Sequence, residues 1–67
     1  MEILSKRLKE LRTERGLTQK QLANALGLAQ SSIANWEADT KTPNAQALII
    51  LSRYFGVTTD YLLGEQN

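Results

Sequence analysis

The sequence contains no cysteine and no histidine. Disulfide bonds and thiolate metal sites are therefore impossible, and the residue most often used as a general base or metal ligand is missing. Serine and threonine are present, but they have no histidine to activate them, and the few acidic residues form no obvious acid–base pair. We therefore expect no enzymatic activity, no cofactor and no bound metal.

Long apolar runs are also absent from the sequence. The N-terminal segment MEILSKRLKE alternates charged and apolar residues and lacks the continuous apolar stretch of a signal peptide. No other stretch approaches the roughly 20 apolar residues that span a membrane. The sequence therefore predicts a soluble, cytoplasmic protein with no membrane partner.

Neither positive nor negative charge is in clear excess. The sequence has eight basic and seven acidic residues, and its net charge is +1. Such a total gives no reason to expect a polyanionic partner, so the placement of the charges matters more. Basic residues crowd the first fifteen positions, whereas residues 30–35 contain no acid. We expect the early basic residues to lie mainly on a solvated face and the 30–35 segment not to repel phosphate.

The length of 67 residues, with 42% hydrophobic residues, predicts one small folded domain over 1–67. A chain of this size buries only about 60% of its unfolded surface, so we expect modest stability. Apolar residues recur at helical spacing from about Ile3 to Glu14 and again from Ala45 to Phe55. A last short helix, TDYLL, follows Thr58 or Thr59 and ends at a glycine. The pattern predicts an all-α fold, a compact five-helix bundle.

The centre of the chain, QKQLANALGLAQSSIANWEA at 19–38, predicts two short helices joined by a tight turn. Thr18 and Gln21 have the spacing of a capping box, which starts the first helix near Gln19. Gly27 stands where a helix ends in a residue with positive φ. Two helices this short are marginal alone and must pack on neighbours. The spacing is that of a helix-turn-helix.

The second helix of this unit is predicted over about residues 30–38. Ile33 and Trp36 share one face and predict its buried side, while the small Ala23 of the first helix suits the crossing point. Ala23, Gly27, Ile33 and Trp36 are therefore predicted to form the structural core of the unit.

These residues resemble the phage-repressor and Cro-like (Xre-type) helix-turn-helix family. The likeness extends over nearly the whole chain, through GLTQKQLA at 16–23, WE at 36–37, Pro43 and DYLLG at 60–64. It implies a lambda-repressor-like domain that binds double-stranded DNA sequence-specifically, as a nucleoid-associated transcriptional repressor on a palindromic operator. Ala29 departs from the pattern, in which serine or threonine commonly caps the second helix, so the resemblance allows the start of that helix to shift by one residue.

The resemblance and the known docking of such helices suggest site residues in four groups. The N-terminal part of a recognition helix meets base edges in the major groove, and backbone contacts come from the start of the preceding helix and from the loop after the recognition helix. We expect base contacts from Gln30, Ser31, Ala34 and Asn35, and phosphate contacts from Gln19, Lys20, Lys41 and Thr42. The resemblance further implies an Arg12–Glu37 ion pair, and a homodimer surface that includes Val57, Thr59, Tyr61 and Leu62.

The sequence leaves some alternatives open. The apolar C-terminal residues could instead belong to the core, or they could make the chain a protein-interaction module in which DNA binding is incidental. Neither the operator sequence nor the choice between repressor and activator follows from these residues.

Overall fold

Five α-helices and the short segments between them form residues 2–65, the part of the chain described by the computed structural model. The helices are α1 (Glu2–Glu14), α2 (Gln19–Leu26), α3 (Gln30–Glu37), α4 (Ala45–Phe55) and α5 (Thr59–Leu63). The predicted all-α five-helix architecture is confirmed, and the described residues contain no strand. Helix α1 begins one residue earlier than the periodicity suggested, and α3 ends one residue earlier.

Local side-chain caps explain why α2, α4 and α5 begin where they do. The Thr18 hydroxyl accepts from the Gln21 N–H at 3.0 Å, and the Gln21 side chain accepts from the Thr18 N–H at 2.8 Å, so the capping box is complete. Asn44 caps α4 through the Ala47 N–H at 2.8 Å. Of the two candidate threonines, Thr58 is the one that caps α5. Each of these caps satisfies a first-turn donor that the helix itself leaves open.

One apolar core receives side chains from all five helices. Its fully buried members share large aliphatic side chains, each worth about 1.5–3 kcal/mol of transfer free energy. The buried apolar residues are Leu4, Leu8, Leu22, Ala23, Ile33, Trp36, Ala47, Leu51, Phe55 and Leu62. Helix α3 packs against both α1 and α2, whereas α5 packs against α1 and α4. The central position of α3 gives it a fixed orientation.

Arg7 of α1 and Arg15, the residue that follows α1, both bind other parts of the fold. Arg15 donates to the carbonyls of Tyr54 and Phe55 at 3.1 and 3.2 Å, where α4 leaves its last acceptors open. The guanidinium of Arg7 lies 4.3 Å from the centre of the Tyr61 ring and donates to the Tyr61 carbonyl. The expectation that the early basic residues form a solvated face therefore does not hold for Arg7. Arg15 is exposed, but it also binds the end of α4.

Candidate nucleic-acid interface

The turn between α2 and α3 has the conformation that the glycine requires. Gly27 adopts φ +69° in the left-handed region, and its N–H bonds to the Asn24 carbonyl at 3.3 Å. The Leu28 N–H then reaches the Ala23 carbonyl at 2.9 Å, which closes the end of α2. A Cβ at Gly27 would meet no atom within 4 Å, so the demand for glycine is conformational and not steric. The turn brings α3 across α2 at the small, buried Ala23.

Helix α3 has one buried face and one open face. Ile33 and Trp36 are 0% and 8% exposed and anchor the helix in the core. Gln30 and Ser31 are exposed in its first turn, while Ala34 and Asn35 are half-buried on the following turn. The four residues suggested for base contacts thus lie along the first two turns of a helix whose other face is packed in the core.

The start of α3 lacks a side-chain cap. Ala29 occupies the N-cap position with extended backbone and makes no cap hydrogen bond, and the helix nevertheless begins at Gln30. First-turn N–H groups of α3 are therefore not satisfied by the residue that usually does so. This is a local weakness, since α2, α4 and α5 each have a side-chain cap.

A polar cluster behind α3 joins three helices. Arg12 donates from Nε to Glu37 Oε2 at 2.6 Å and from its second terminal nitrogen to Glu37 Oε1 at 2.9 Å, a two-point contact. The remaining terminal nitrogen donates to the Leu17 carbonyl at 2.6 Å. The Gln19 amide completes the cluster by donating to Glu37 Oε1 at 3.2 Å. The ion pair that the resemblance implies is thus present, and Gln19 takes part in it.

Burial makes this cluster sensitive to the loss of either partner. The side chains of Arg12 and Glu37 are only 11% and 4% exposed. The hydrogen bond to Glu37 raises the pKa of Arg12 above its ordinary value, and the carboxylate's charge adds to this against the cost of burial. The stabilisation from this ion pair is fully present below the pKa that Arg12 has in the unfolded chain. It is lost only as pH rises through the still higher pKa of Arg12 in the folded protein. It is therefore constant over the physiological range.

The end of α3 is tied to the loop that follows. The Asn35 carbonyl accepts the N–H groups of Thr40 at 3.0 Å and Lys41 at 3.4 Å. The Thr40 hydroxyl also lies 3.1 Å from the Asn35 side-chain Oδ1. Asp39, between them, has a positive φ of 59°, a conformation that Asp tolerates better than most residues. The side chain of Asn35 is thus held by the loop, which its sequence position did not indicate.

The residues suggested for phosphate contacts surround the open face. Lys20, Lys41 and Thr42 are exposed, and Gln19 is half-buried through its bond to Glu37. A shallow pocket of about 250 Å³ lies between Lys9, Gln19 and Ala34. Lys9 therefore lies beside α2 and α3, because the packing of α1 brings it there.

A second depression separates α3 from the start of α4. It has a volume of about 440 Å³ and is bordered by Ser32 and Trp36 on one side and by Thr42, Asn44 and Gln46 on the other. Apolar side chains, among them Leu28 and Ile50, also line it. Ser32 is half-buried there and was not singled out from the sequence.

The C-terminal residues suggested for a dimer surface divide into two groups. Leu62 is 0% exposed, so its assignment to a dimer surface is wrong, because α5 turns it into the core between α1 and α4. Tyr61 is half-buried beneath Arg7. Val57 and Thr59 are also half-buried. In contrast, Ile49 of α4, an apolar residue, is 43% exposed.

Residues 2–65 lack two further features. No helix there is both long and apolar enough to cross a membrane. Nor do those residues bring together three acidic, cysteine or histidine side chains that could hold a metal ion.

Comparison with known proteins identifies the family. A family model described as helix-turn-helix matches residues 8–62. The chain is 44% identical over 62 residues to the HTH-type transcriptional regulator ImmR of Bacillus subtilis, covering 92% of this chain and 49% of ImmR. It is 41% identical over 63 residues to the HTH-type transcriptional activator BcrR of Enterococcus faecalis, covering 92% of this chain and 31% of BcrR.

A more distant relative is the cryptic phage CTXphi transcriptional repressor RstR of Vibrio cholerae, with 27% identity over 63 residues, 94% of this chain and 57% of RstR. The chain thus spans about half the length of ImmR and RstR. The matched region contains the turn at Gly27, the buried face of α3 and the cluster around Glu37 described above. The chain therefore belongs to the Xre-type helix-turn-helix family of DNA-binding transcriptional regulators, the family that its sequence resembles.

Proposed function

We propose that residues 1–67 form one DNA-binding domain that recognises a specific double-stranded sequence and represses transcription by occupying it. The observation that carries the proposal is the open face of α3. Gln30 and Ser31 are exposed on a helix whose opposite face, at Ile33 and Trp36, is buried. Such a helix presents its first turns to the major groove without having to reorder.

The side chains on this face suit particular bases. Gln30 can pair with adenine N6 and N7, Ser31 can donate or accept at several base edges, and the Ala34 methyl group suits the thymine methyl. The described part of the face offers no arginine or lysine for guanine. Glu37 lies nearby, but its charge is compensated by Arg12 and it is almost fully buried. We therefore expect half-sites with adenine–thymine steps.

Phosphate contacts would fix the register of the helix without reading sequence. We assign them to Gln19, Lys20, Lys41 and Thr42, and add Lys9 because it borders the same surface. The first-turn N–H groups of α2 favour an anion, although the Gln19 side chain already shares one hydrogen bond with Glu37. Three lysines predict a slope of log K against log salt of about −3 per subunit.

Binding as a homodimer to a palindrome follows from the small number of readers. Each good base contact contributes about 1–3 kcal/mol, so one domain alone would bind weakly. The molecule measures 32 × 24 × 21 Å, so two copies side by side suit half-sites about 34 Å apart. With Leu62 in the core, the proposed contact retains Val57 and Thr59, with the edge of Tyr61, and gains the exposed Ile49.

Repression requires only occupancy of a promoter, whereas activation needs a further productive contact. Among the relatives, RstR is named a repressor and BcrR an activator, and both are longer than this chain. Repression is therefore the simpler function for the domain itself. A reporter gene placed behind the selected sequence tests it, and a rise in expression on adding the protein contradicts repression while leaving DNA binding intact.

Selection of bound fragments from random DNA tests the proposal as a whole, followed by gel shifts at two salt concentrations. We expect a palindrome whose affinity falls with salt. Gln30→Ala should change the preferred base at one position of each half-site, whereas the matched control Asn24→Ala, an exposed amide on α2, should not. Enrichment of no sequence, together with a protein–protein complex in size measurements without DNA, would favour the interaction-module alternative.

A further inference from the structure

The Asn35 carbonyl at the end of α3 already has two hydrogen-bond donors. The N–H groups of Thr40 and Lys41 lie 3.0 and 3.4 Å from it. A carbonyl oxygen has two lone pairs, so a third donor at this carbonyl has to share them with the two backbone N–H groups.

The Thr40 hydroxyl is such a donor, and it has one hydrogen to give. It lies 3.2 Å from the Asn35 carbonyl and 3.1 Å from the Asn35 side-chain Oδ1. The carbonyl already receives two backbone donors and Oδ1 is the nearer acceptor, so the bond to Oδ1 is the one through which the hydroxyl orients the Asn35 side chain. The orientation of an Asn amide is assigned from such a network, and here the network sets Oδ1 towards Thr40. The Nδ2 group is then on the side away from Thr40.

We propose that Thr40 is a positioning residue that makes Asn35 a donor-only reader of DNA. Its hydroxyl turns Oδ1 towards the loop and leaves the two Nδ2 hydrogens to meet the base edge. This inference rests on the proposed function and deepens it by specifying what one reader recognises. Half-burial of Asn35 limits the alternative rotamers that the amide can reach.

A donor-only Asn35 has a definite preference in the major groove. Guanine N7 and O6, adenine N7 and thymine O4 are acceptors there, whereas cytosine presents its N4 donor. Asn35 therefore selects against cytosine at the base that it faces. It does not form the two-point pair with adenine, because that pair needs Oδ1 and Nδ2 directed together at the base. Reading of adenine by two contacts is left to Gln30.

The test repeats the selection from random DNA with four further variants of the full chain. Asn35→Ala identifies the base position that Asn35 contacts, because the base preference at that position should disappear in the selected DNA. We expect the wild type to reject cytosine there by about fivefold, the size of one neutral hydrogen bond. Thr40→Val removes the hydroxyl but keeps the β-branched shape, and it should abolish this rejection. Thr40→Ser restores the hydroxyl and should recover it, while Thr13→Val, at an exposed threonine of α1 outside the proposed interface, should leave it unchanged.

A second measurement needs no DNA. Nitrogen relaxation of the Asn35 side-chain amide in the free protein should show restricted motion in the wild type and Thr40→Ser, and increased motion in Thr40→Val. Circular dichroism verifies that each variant is folded.

Unchanged base preference in folded Thr40→Val, or preference for cytosine in the wild type, overturns the role of Thr40. If Asn35→Ala leaves the selected sequence unchanged while Gln30→Ala still alters it, Asn35 does not read a base. That result leaves the role of Gln30 intact. If the wild type enriches no sequence, the proposed function fails as well.

Discussion

The strongest mutational effect should come from separating Arg12 and Glu37. Arg12→Leu leaves the Glu37 carboxylate 4% exposed with the Gln19 amide as its remaining donor within the cluster. Breaking a buried pair in this way costs about 3–5 kcal/mol, because one charge stays buried without its partner. A chain of this length has a total stability of about 3–10 kcal/mol, at roughly 0.05–0.15 kcal/mol per residue. Arg12→Leu should therefore leave the domain at the margin of folding.

Replacing both partners should do far less harm. In Arg12→Leu/Glu37→Leu no charge remains buried, and the two leucines can pack where the cluster was, so we expect stability within about 1 kcal/mol of wild type. The stability of Glu37→Leu should fall between those of Arg12→Leu and the double variant. The Arg12 guanidinium then keeps its bond to the Leu17 carbonyl, and it is the more exposed partner. The two single changes are thus predicted to couple strongly.

Urea unfolding followed by circular dichroism measures this cycle. The slopes of free energy against urea must agree among the variants for the free energies to be compared. Lys6→Leu is the control, an exposed basic residue of the same helix, and should change stability by no more than about 0.5 kcal/mol. If the double variant loses the sum of the two single losses, the partners do not couple and the reasoning is refuted.

Three further changes probe the unit locally, each by the same unfolding assay. Ala29→Ser supplies the missing cap of α3 and should stabilise by about 0.5–1 kcal/mol; destabilisation would mean that the α3 N-terminus is already satisfied. Gly27→Ala should cost about 1–2 kcal/mol from its positive φ alone, since no atom obstructs a Cβ there, and Gly27→Asn should cost less because asparagine tolerates the left-handed region better; equal costs would point to a steric demand instead. Ile33→Ala removes a fully buried side chain and should cost about 2–5 kcal/mol, against a near-zero effect of Gln30→Ala on the open face.

The sequence by itself determined the helices, their ends and the buried face of α3. Caps such as Thr18 and Asn44, and the stop at Gly27, act through hydrogen bonds and backbone angles within one turn, so neighbouring residues suffice to predict them. The spacing of Ile33 and Trp36 marks a face because helical geometry repeats regularly.

Tertiary structure alone decided which polar groups meet and which apolar ones stay outside. Lys9 reaches the candidate interface, and Arg7 is drawn away to Tyr61, only because of how α1 packs. Leu62 is buried and Ile49 exposed for the same reason, since an apolar side chain on a short helix can face either a neighbour or water. The contact between Thr40 and Asn35 depends on the path of a loop whose residues carry no periodic pattern. The sequence thus specified a scaffold for reading DNA, whereas long-range packing determined which donors that scaffold presents.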